Sequence, residues 1–515
     1  MNKGGADLFG ERDEAQGARR AESETYLEDR RAFEHRATQR FARAANKSAP
    51  PKTLYATVLV AALTGCSMMP EYQRPAVPVA AVWPDSANPA GARRVADTDW
   101  RSYYSDPRLQ ALISAALENN RDLRIATARI AEARGQYGIQ QAERIPNVNL
   151  NAGHNASRNP LGGSSGANGT YTHRYDVSVG LVSFELDFWG RVASLNEAAK
   201  ANYLATEAAQ RAFRLSLIAD VANAYLSLLE LRERAQLAAM TAAARATTRE
   251  LTSRRRDLGV SSDLDFLQAD GAYQAALAER ANLERQQAAA ENLLDVLVGQ
   301  PVAQMKDLPA ARSLAEQGIA SDLIAGLPAE VLLQRPDVLV AEQKLIAANA
   351  NIGAVRAAFL PRITLTGNFG TASRTLSGLF ASDSDAWSFQ PTLVQSLFDT
   401  GRYSSNLDVA EARKIIAVAE YEKVIQQAFR EVANLLNARE KFAGQLAAQQ
   451  ANAEAQSQRL KLVEARYRAG IANHLELLDA QRESFAAQQG VIQVRRIALS
   501  SAAQLYKALA GQGAQ

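Results

Sequence analysis

The stretch LVAALTGCSM holds the only cysteine of the 515-residue chain, Cys66, directly behind a short apolar run. Thr57 to Leu63 is too short to cross a bilayer, which takes about 20 apolar residues, but it suits the apolar core of a secretory signal. Leu63-Thr64-Gly65-Cys66 then reads as a lipobox, whose cysteine becomes the acylated first residue of the mature chain through a thioether. Ser67 follows, and the lack of an aspartate there suits sorting to the outer membrane. This is anchoring chemistry. One cysteine and four histidines leave no disulfide framework and no Cys/His zinc set. The chain has no Walker loop, no HExxH and no plausible nucleophile elbow, and GGSSG reads as a polar loop tip, so nothing points to an enzyme or a cofactor.

Two further sets of residues have types and spacing that fix a backbone. Gly259 stops a helical stretch, and Ser262 with Asp265 three positions later forms a capping box for the next. Gly470, Asn473 and Glu476 repeat the arrangement about 211 positions on.

Such matched turns require long elements to carry them. Alanine and glutamine are abundant and aromatics make up 7%, the composition of closely packed long helices. A net charge of +3 with 22% charged residues gives no basic patch and no nucleic-acid reading. Residues 1–52 are dense in charge of both signs and lack an apolar stripe. They read as a disordered extension or a misplaced start, ahead of a signal at 53–65.

The rest of the chain says the same thing twice. RDLRIATARIAEARGQYGIQQAERIPNVNL lies over PDVLVAEQKLIAANANIGAVRAAFLPRITL at an offset of about 215. Gly190-Arg191 maps to Gly401-Arg402 and Leu264 to Leu475 at an offset of about 211. The organisation read from this is an anchored N-terminal segment at 66–106, repeats at 107–299 and 327–511, a linker at 300–326 and a tail at 512–515.

Each repeat begins with a helix expected to run about 30 residues to a proline, Pro146 or Pro361, which breaks the ladder. Alternating stretches follow, predicting strands at 147–158, 171–188, 362–372 and 386–398. Val148, Leu150 and Ala152 face away from three asparagines; Ile363, Leu365 and Phe369 face away from Thr364, Thr366 and Asn368. In the second strand the phase slips near Val182-Ser183, as a bulge allows. Tyr171, Tyr175 and Trp387 suit an interfacial girdle.

Strands of about 10 residues are long enough to cross a bilayer when tilted. Lipid tolerates no open sheet edge and the smallest membrane barrels have eight strands, so four cannot close alone. Two copies would give eight and three would give twelve. Arg191 to Asp257 would reach on the order of 100 Å as one helix. Leu478, Phe485, Ile492, Leu499 and Tyr506 recur every seventh position, which predicts a supercoiled seam. Together these describe a mainly α chain with a membrane β-barrel, a tube hung from the outer membrane into the periplasm. A lipid-anchored periplasmic tether without a pore is the other class compatible with the anchor and helices, but it leaves the alternating hairpins without purpose.

RPDVLVAEQKLIAANANIGAVRAAFLPRITL, DFWGR and RYRAGIANHLELLDAQR resemble the outer-membrane factor family, in its lipoprotein branch serving resistance-nodulation-division (RND) efflux pumps. The resemblance covers Cys66 to the end. It implies a homotrimer, closed as a 12-stranded β-barrel with an α-helical periplasmic barrel and a collar from residues near 300–330 and the termini. Implied partners are outer-membrane lipid, a periplasmic adaptor docking at the turns around Gly259, Ser262, Gly470 and Asn473, and an inner-membrane RND transporter. It further implies a periplasmic gate at Leu475 and Asp479, with latching contacts from Tyr467 and Arg468. Three such aspartates about 6 Å apart would repel by roughly 3 kcal/mol per pair unless a cation or proton intervenes. His474 at the turn is expected to be solvated. Type I protein secretion and heavy-metal efflux are the alternatives within the same family.

Overall fold

The computed structural model describes residues 67–80, 83, 93–94, 98–159, 170–319, 323–324 and 328–509. The chain divides into two units between Cys66 and Ser67, and every described residue belongs to the second. Cys66, the extension at 1–52, the signal at 53–65, the loop tip at 160–169 and the tail at 512–515 lie outside the described residues.

Nine helices are described: α1 (Trp100–Tyr103), α2 (Pro107–Asn119), α3 (Arg121–Ala142), α4 (Arg191–Asp257), α5 (Asp263–Val298), α6 (Pro328–Gln334), α7 (Pro336–Ala357), α8 (Arg402–Arg468) and α9 (His474–Ala508). Both α4 and α8 run 67 residues without a break. The helices before Pro146 and Pro361 are 22 residues each, shorter than expected. Their starts explain it. The Asn120 side chain accepts from the Leu123 backbone N–H and so caps α3, while Pro336 occupies the first turn of α7.

A four-stranded antiparallel sheet comprises β2 (Val148–Asn159), β3 (Thr170–Glu185), β5 (Arg362–Ser373) and β6 (Asp385–Val394), in the order β2-β3-β5-β6. The register slips between Leu181 and Phe184, where Ser183 takes φ 53°, so the bulge sits where the alternation breaks. β3 and β6 stop at Glu185 and Val394, short of the expected 188 and 398. Asp187 and Asp399 there turn to cap the long helices: Asp187 accepts from the N–H of Val192 and Ala193, Asp399 from that of Tyr403. A short parallel pair, β1 (Arg93–Arg94) with β4 (Leu323–Ile324), and a bridge from Tyr104 to Ile319 tie the N-terminal segment to the linker between the repeats.

One large core joins α2, the middle of α4, the start of α7, α8 and the end of α9, centred on Trp100, Tyr103, Tyr104, Tyr225, Tyr421 and Tyr506. The expected heptad row on α9 is not the buried seam near the tip. Small side chains pack there, Ala480, Ser484 and Ala487. Phe485 instead packs with Leu231, Ala235 and Leu283 of α4 and α5, and Ile492 and Leu499 join the large core. Residues of small volume allow the close approach within a hairpin, leaving the larger row to bridge between hairpins.

The N-terminal segment runs along α7. Arg74 meets Glu342 at 2.7 Å, the Asn349 amide donates to the Pro70 carbonyl at 2.7 Å, and a Cβ on Gly353 would come within 2.8 Å of Met69.

Candidate functional site

Cross-strand partners share a face, so the register sorts every side chain of the sheet. One face carries Val148, Leu150 and Ala152 beside Leu181, Val179 and Val177, then Phe369, Leu365 and Ile363, then Trp387, Phe389 and Leu393. The other carries Asn149, Asn151, Ser178, Asn368, Thr366, Ser388 and Gln390. The apolar side is bare in the single chain: Leu150 is 73% and Trp387 75% exposed. A contiguous apolar face of this size has to be covered, and here a polar face lies directly behind it. Neither β2 nor β6 has a second partner strand among the described residues. Pro391, within β6, is tolerated at such an edge.

Above the apolar band, Arg158 lies over the Tyr171 ring and His154 stacks on Tyr175 at 4.2 Å. Tyr171 and Tyr175 thus stand on the apolar face toward the distal end of the sheet, whereas Trp387, on the same face, pairs with Phe369 within the band.

At the far end of the long helices lie the turns. Gly259 and Gly470 take φ of 71° and 75°, the left-handed conformation that stops α4 and α8. Ser262 forms both bonds of its capping box with Asp265. Asn473 makes only the forward bond, accepting from the Glu476 N–H, while Glu476 turns to Arg466 at 3.0 Å. Tyr467 is buried with Val463, Ala472, Leu477 and Ala480. From the other hairpin, Arg255 covers its ring at 5.1 Å, so the two turns are joined there. Arg468 is exposed, with Glu464 at 3.9 Å. Leu475 is exposed, as are Leu258, Val260, Leu264 and Ile471, giving both turns an apolar rim.

Two expectations for this end are overturned. His474 is 6% exposed, tilted against Tyr467, and neither ring nitrogen has a partner among the described residues. Burial pushes its pKa below the usual value, with the Asp265 charge opposing. Asp479 is not a bare carboxylate. It accepts from Arg459 at 2.7 Å and from Arg482 at 2.8 Å. The Arg459 hydrogen bond, with both guanidinium charges, holds its pKa below the usual carboxylate range. The repulsion foreseen for a ring of such groups is offset within each chain. Arg459 and Arg255 were missed in the sequence because the first acts across its hairpin and the second between the two hairpins, at separations no local motif encodes.

The profile of the outer membrane efflux protein family matches residues 112–300 and 327–511. Outer membrane protein OprJ of Pseudomonas aeruginosa is 42% identical over 459 residues, covering 88% of this chain and 95% of that one. The toluene efflux pump outer membrane protein TtgF of Pseudomonas putida is 42% identical over 470 residues, covering 89% and 97%. The crystal structure of the open state of the Neisseria gonorrhoeae MtrE outer membrane channel superposes with a TM-score of 0.77 at 39% identity, covering 87% of this chain and 98% of that one.

Proposed function

Since the chain belongs to the outer membrane efflux protein family, we infer that it is the outer-membrane exit duct of a tripartite RND-type efflux system, passively conducting small molecules to the exterior. The observation that carries this is the sheet: one apolar face, one polar face and two open edges, set on helices of 67 residues. Lipid accepts such a wall only when it closes, and three copies supply twelve strands around a polar lumen. The long helices, roughly 100 Å each, then form the periplasmic part of the duct.

The inner-membrane RND transporter and the periplasmic adaptor are the partners of this reading. The apolar rim at Leu258, Val260 and Ile471, on turns fixed by Gly259, Ser262, Gly470 and Asn473, supports docking of the adaptor there. Leu475 and Asp479 form the constriction, with Tyr467 joining the hairpins behind it and the exposed Arg468 making the latching contact. Cys66 carries the lipid anchor. In support, Met69, three residues on, lies against Gly353 of α7.

Conductance of the purified protein in a planar bilayer tests the channel: stepwise openings are expected, and a silent bilayer would refute it. Deleting the gene in its host is expected to raise sensitivity to small amphiphilic toxins; unchanged sensitivity to every compound the partner pump handles would remove efflux from the reading.

A further inference from the structure

The duplication supplies a comparison within the chain. In the first repeat, the corner from strand to long helix folds back onto the second repeat. The Trp189 indole N–H donates to the Pro361 carbonyl oxygen at 2.9 Å, and the Leu186 N–H donates to that of Ile363 at 2.9 Å. Leu186 and Trp189 share one cleft with Ala357 and Leu360, at the end of α7.

The corner of the second repeat meets the same helix end only through its flanks, where the Gln395 side-chain amide donates to the Phe359 carbonyl at 3.1 Å and Tyr403 packs on the Phe359 ring. Asp399 caps α8 as Asp187 caps α4, yet Phe398 beside it is 96% exposed and Leu397 is bare as well. The helix end that corresponds to that of α7, Ala142 to Pro146 after α3, lies instead at the β2 edge. Its side chains are uncovered: Ile145 is 68% exposed where its counterpart Leu360 is half-buried, and Ala142 is exposed where Ala357 is buried. A cleft of about 590 Å³ opens there, with Ile139, Ile145 and Pro146 on one wall and Val182 with the charged Glu185, Arg191 and Arg362 on the other. An uncovered corner tip stands at one free edge of the sheet, and an uncovered helix end at the other.

Antiparallel pairing of β6 with a neighbour's β2 brings the two together. The strands are 10 and 12 residues long, so pairing over their full lengths sets Asp385 near the distal end of β2 and Val394 near its start. Leu397 and Phe398 then fall beside Ile145 and Pro146 of that neighbour.

We propose that Leu397 and Phe398 of each copy seat in the Ile139, Ile145 and Pro146 cleft of the next, an aromatic pin that each subunit receives from its neighbour. The proposal rests on the reading of the chain as a closed oligomeric duct and names the contact that sets its register. The pin repeats between copies the corner contact that Leu186 and Trp189 make within one copy. A phenyl ring buried there removes on the order of 150 Å² from solvent at the level where strands give way to helices.

The test is photo-crosslinking of the full-length protein in outer membranes, with p-benzoylphenylalanine at position 398 and, as a control, at Phe369, on the apolar face of an inner strand flanked by β3 and β6 of its own chain. The expected result is light-dependent dimers and trimers from position 398 alone, with the adduct on a peptide spanning residues 139–147 of another copy. Adducts at 398 confined to lipid or to the same chain, in a sample whose trimer is intact, overturn the proposal. Absence of any trimer before irradiation overturns the duct itself. In parallel, Phe398→Ser is expected to lower the detergent-resistant trimer fraction several-fold and Phe398→Leu to restore most of it; equal trimer yields from both variants count against the pin.

Discussion

Arg459 of α8 and Asp479 of α9 meet at 2.7 Å across the second hairpin, one turn from Leu475. The proposed constriction therefore carries both signs of charge. Arg459→Ala leaves the carboxylate with Arg482 alone and is expected to move the reversal potential in a salt gradient toward cation selectivity. Asp479→Asn leaves two guanidinium groups and is expected to move it the other way. Identical reversal potentials in wild type and both variants would take Asp479 out of the conducting path.

Asp479→Ala and Leu475→Ala each remove bulk from the constriction. Both are expected to raise single-channel conductance, and their unchanged conductance would show that these side chains do not narrow the pore.

His474 gives the turn a pH dependence of definite sign. Its folded pKa lies below the ordinary 6.5 because burial disfavours the cation; the unfolded turn therefore takes up a proton first as pH falls. Stability from the neutral, buried ring is present above about 6.5 and is lost on acidification. Facing groups are Asp265, whose charge opposes the shift, and Tyr467. Amide exchange at residues 463–480 is expected to quicken between pH 7.5 and 5.5 in wild type and to stay flat in His474→Leu. Equal quickening in both would locate the sensitivity elsewhere.

Phe369 and Asn368 are neighbours on β5 that face opposite sides of the sheet. Phe369→Lys puts a cation on the apolar side, at a cost of about 2–4 kcal/mol near mid-bilayer, whereas Asn368→Lys lies on the polar side. The first is expected to abolish detergent-resistant trimer in outer membranes and the second to leave it while changing ion selectivity. Comparable yields from the two would contradict the assignment of faces.

Arg335 is buried and donates to the Ala508 carbonyl at 2.6 Å, to Asp337 at 2.8 Å and to Glu431 at 2.9 Å. It ties the start of α7 to the end of α9 and to α8. Arg335→Met leaves those acceptors short of a donor and is expected to cost about 2 kcal/mol, read as a lower temperature of trimer dissociation. No change in that temperature would make the network dispensable.

The periodic parts of this fold were legible in the sequence because their physics is local. α4 runs Arg191–Asp257 as the glycine at each end dictates, and the bulge beside Ser183 is visible as a broken alternation. What failed was set by packing between distant segments. His474 follows a turn glycine, and its burial comes with the ring of Tyr467 packed against it and Asp265 of the first hairpin acting on it. The seventh-position row on α9 was real, but which helix it would meet depended on small residues taking the inner seam. The charge on Asp479 was misjudged because its partner lies 20 residues away on another helix.

The open edges of β2 and β6 also bear on how the molecule comes into being. A newly exported chain presents a greasy surface and two rows of unmet backbone groups to water, a template for unwanted stacking. Its helical hairpins, built from nearby stretches of chain, can form early. The wall, by contrast, must wait for its siblings, so insertion and assembly have to be a single concerted event.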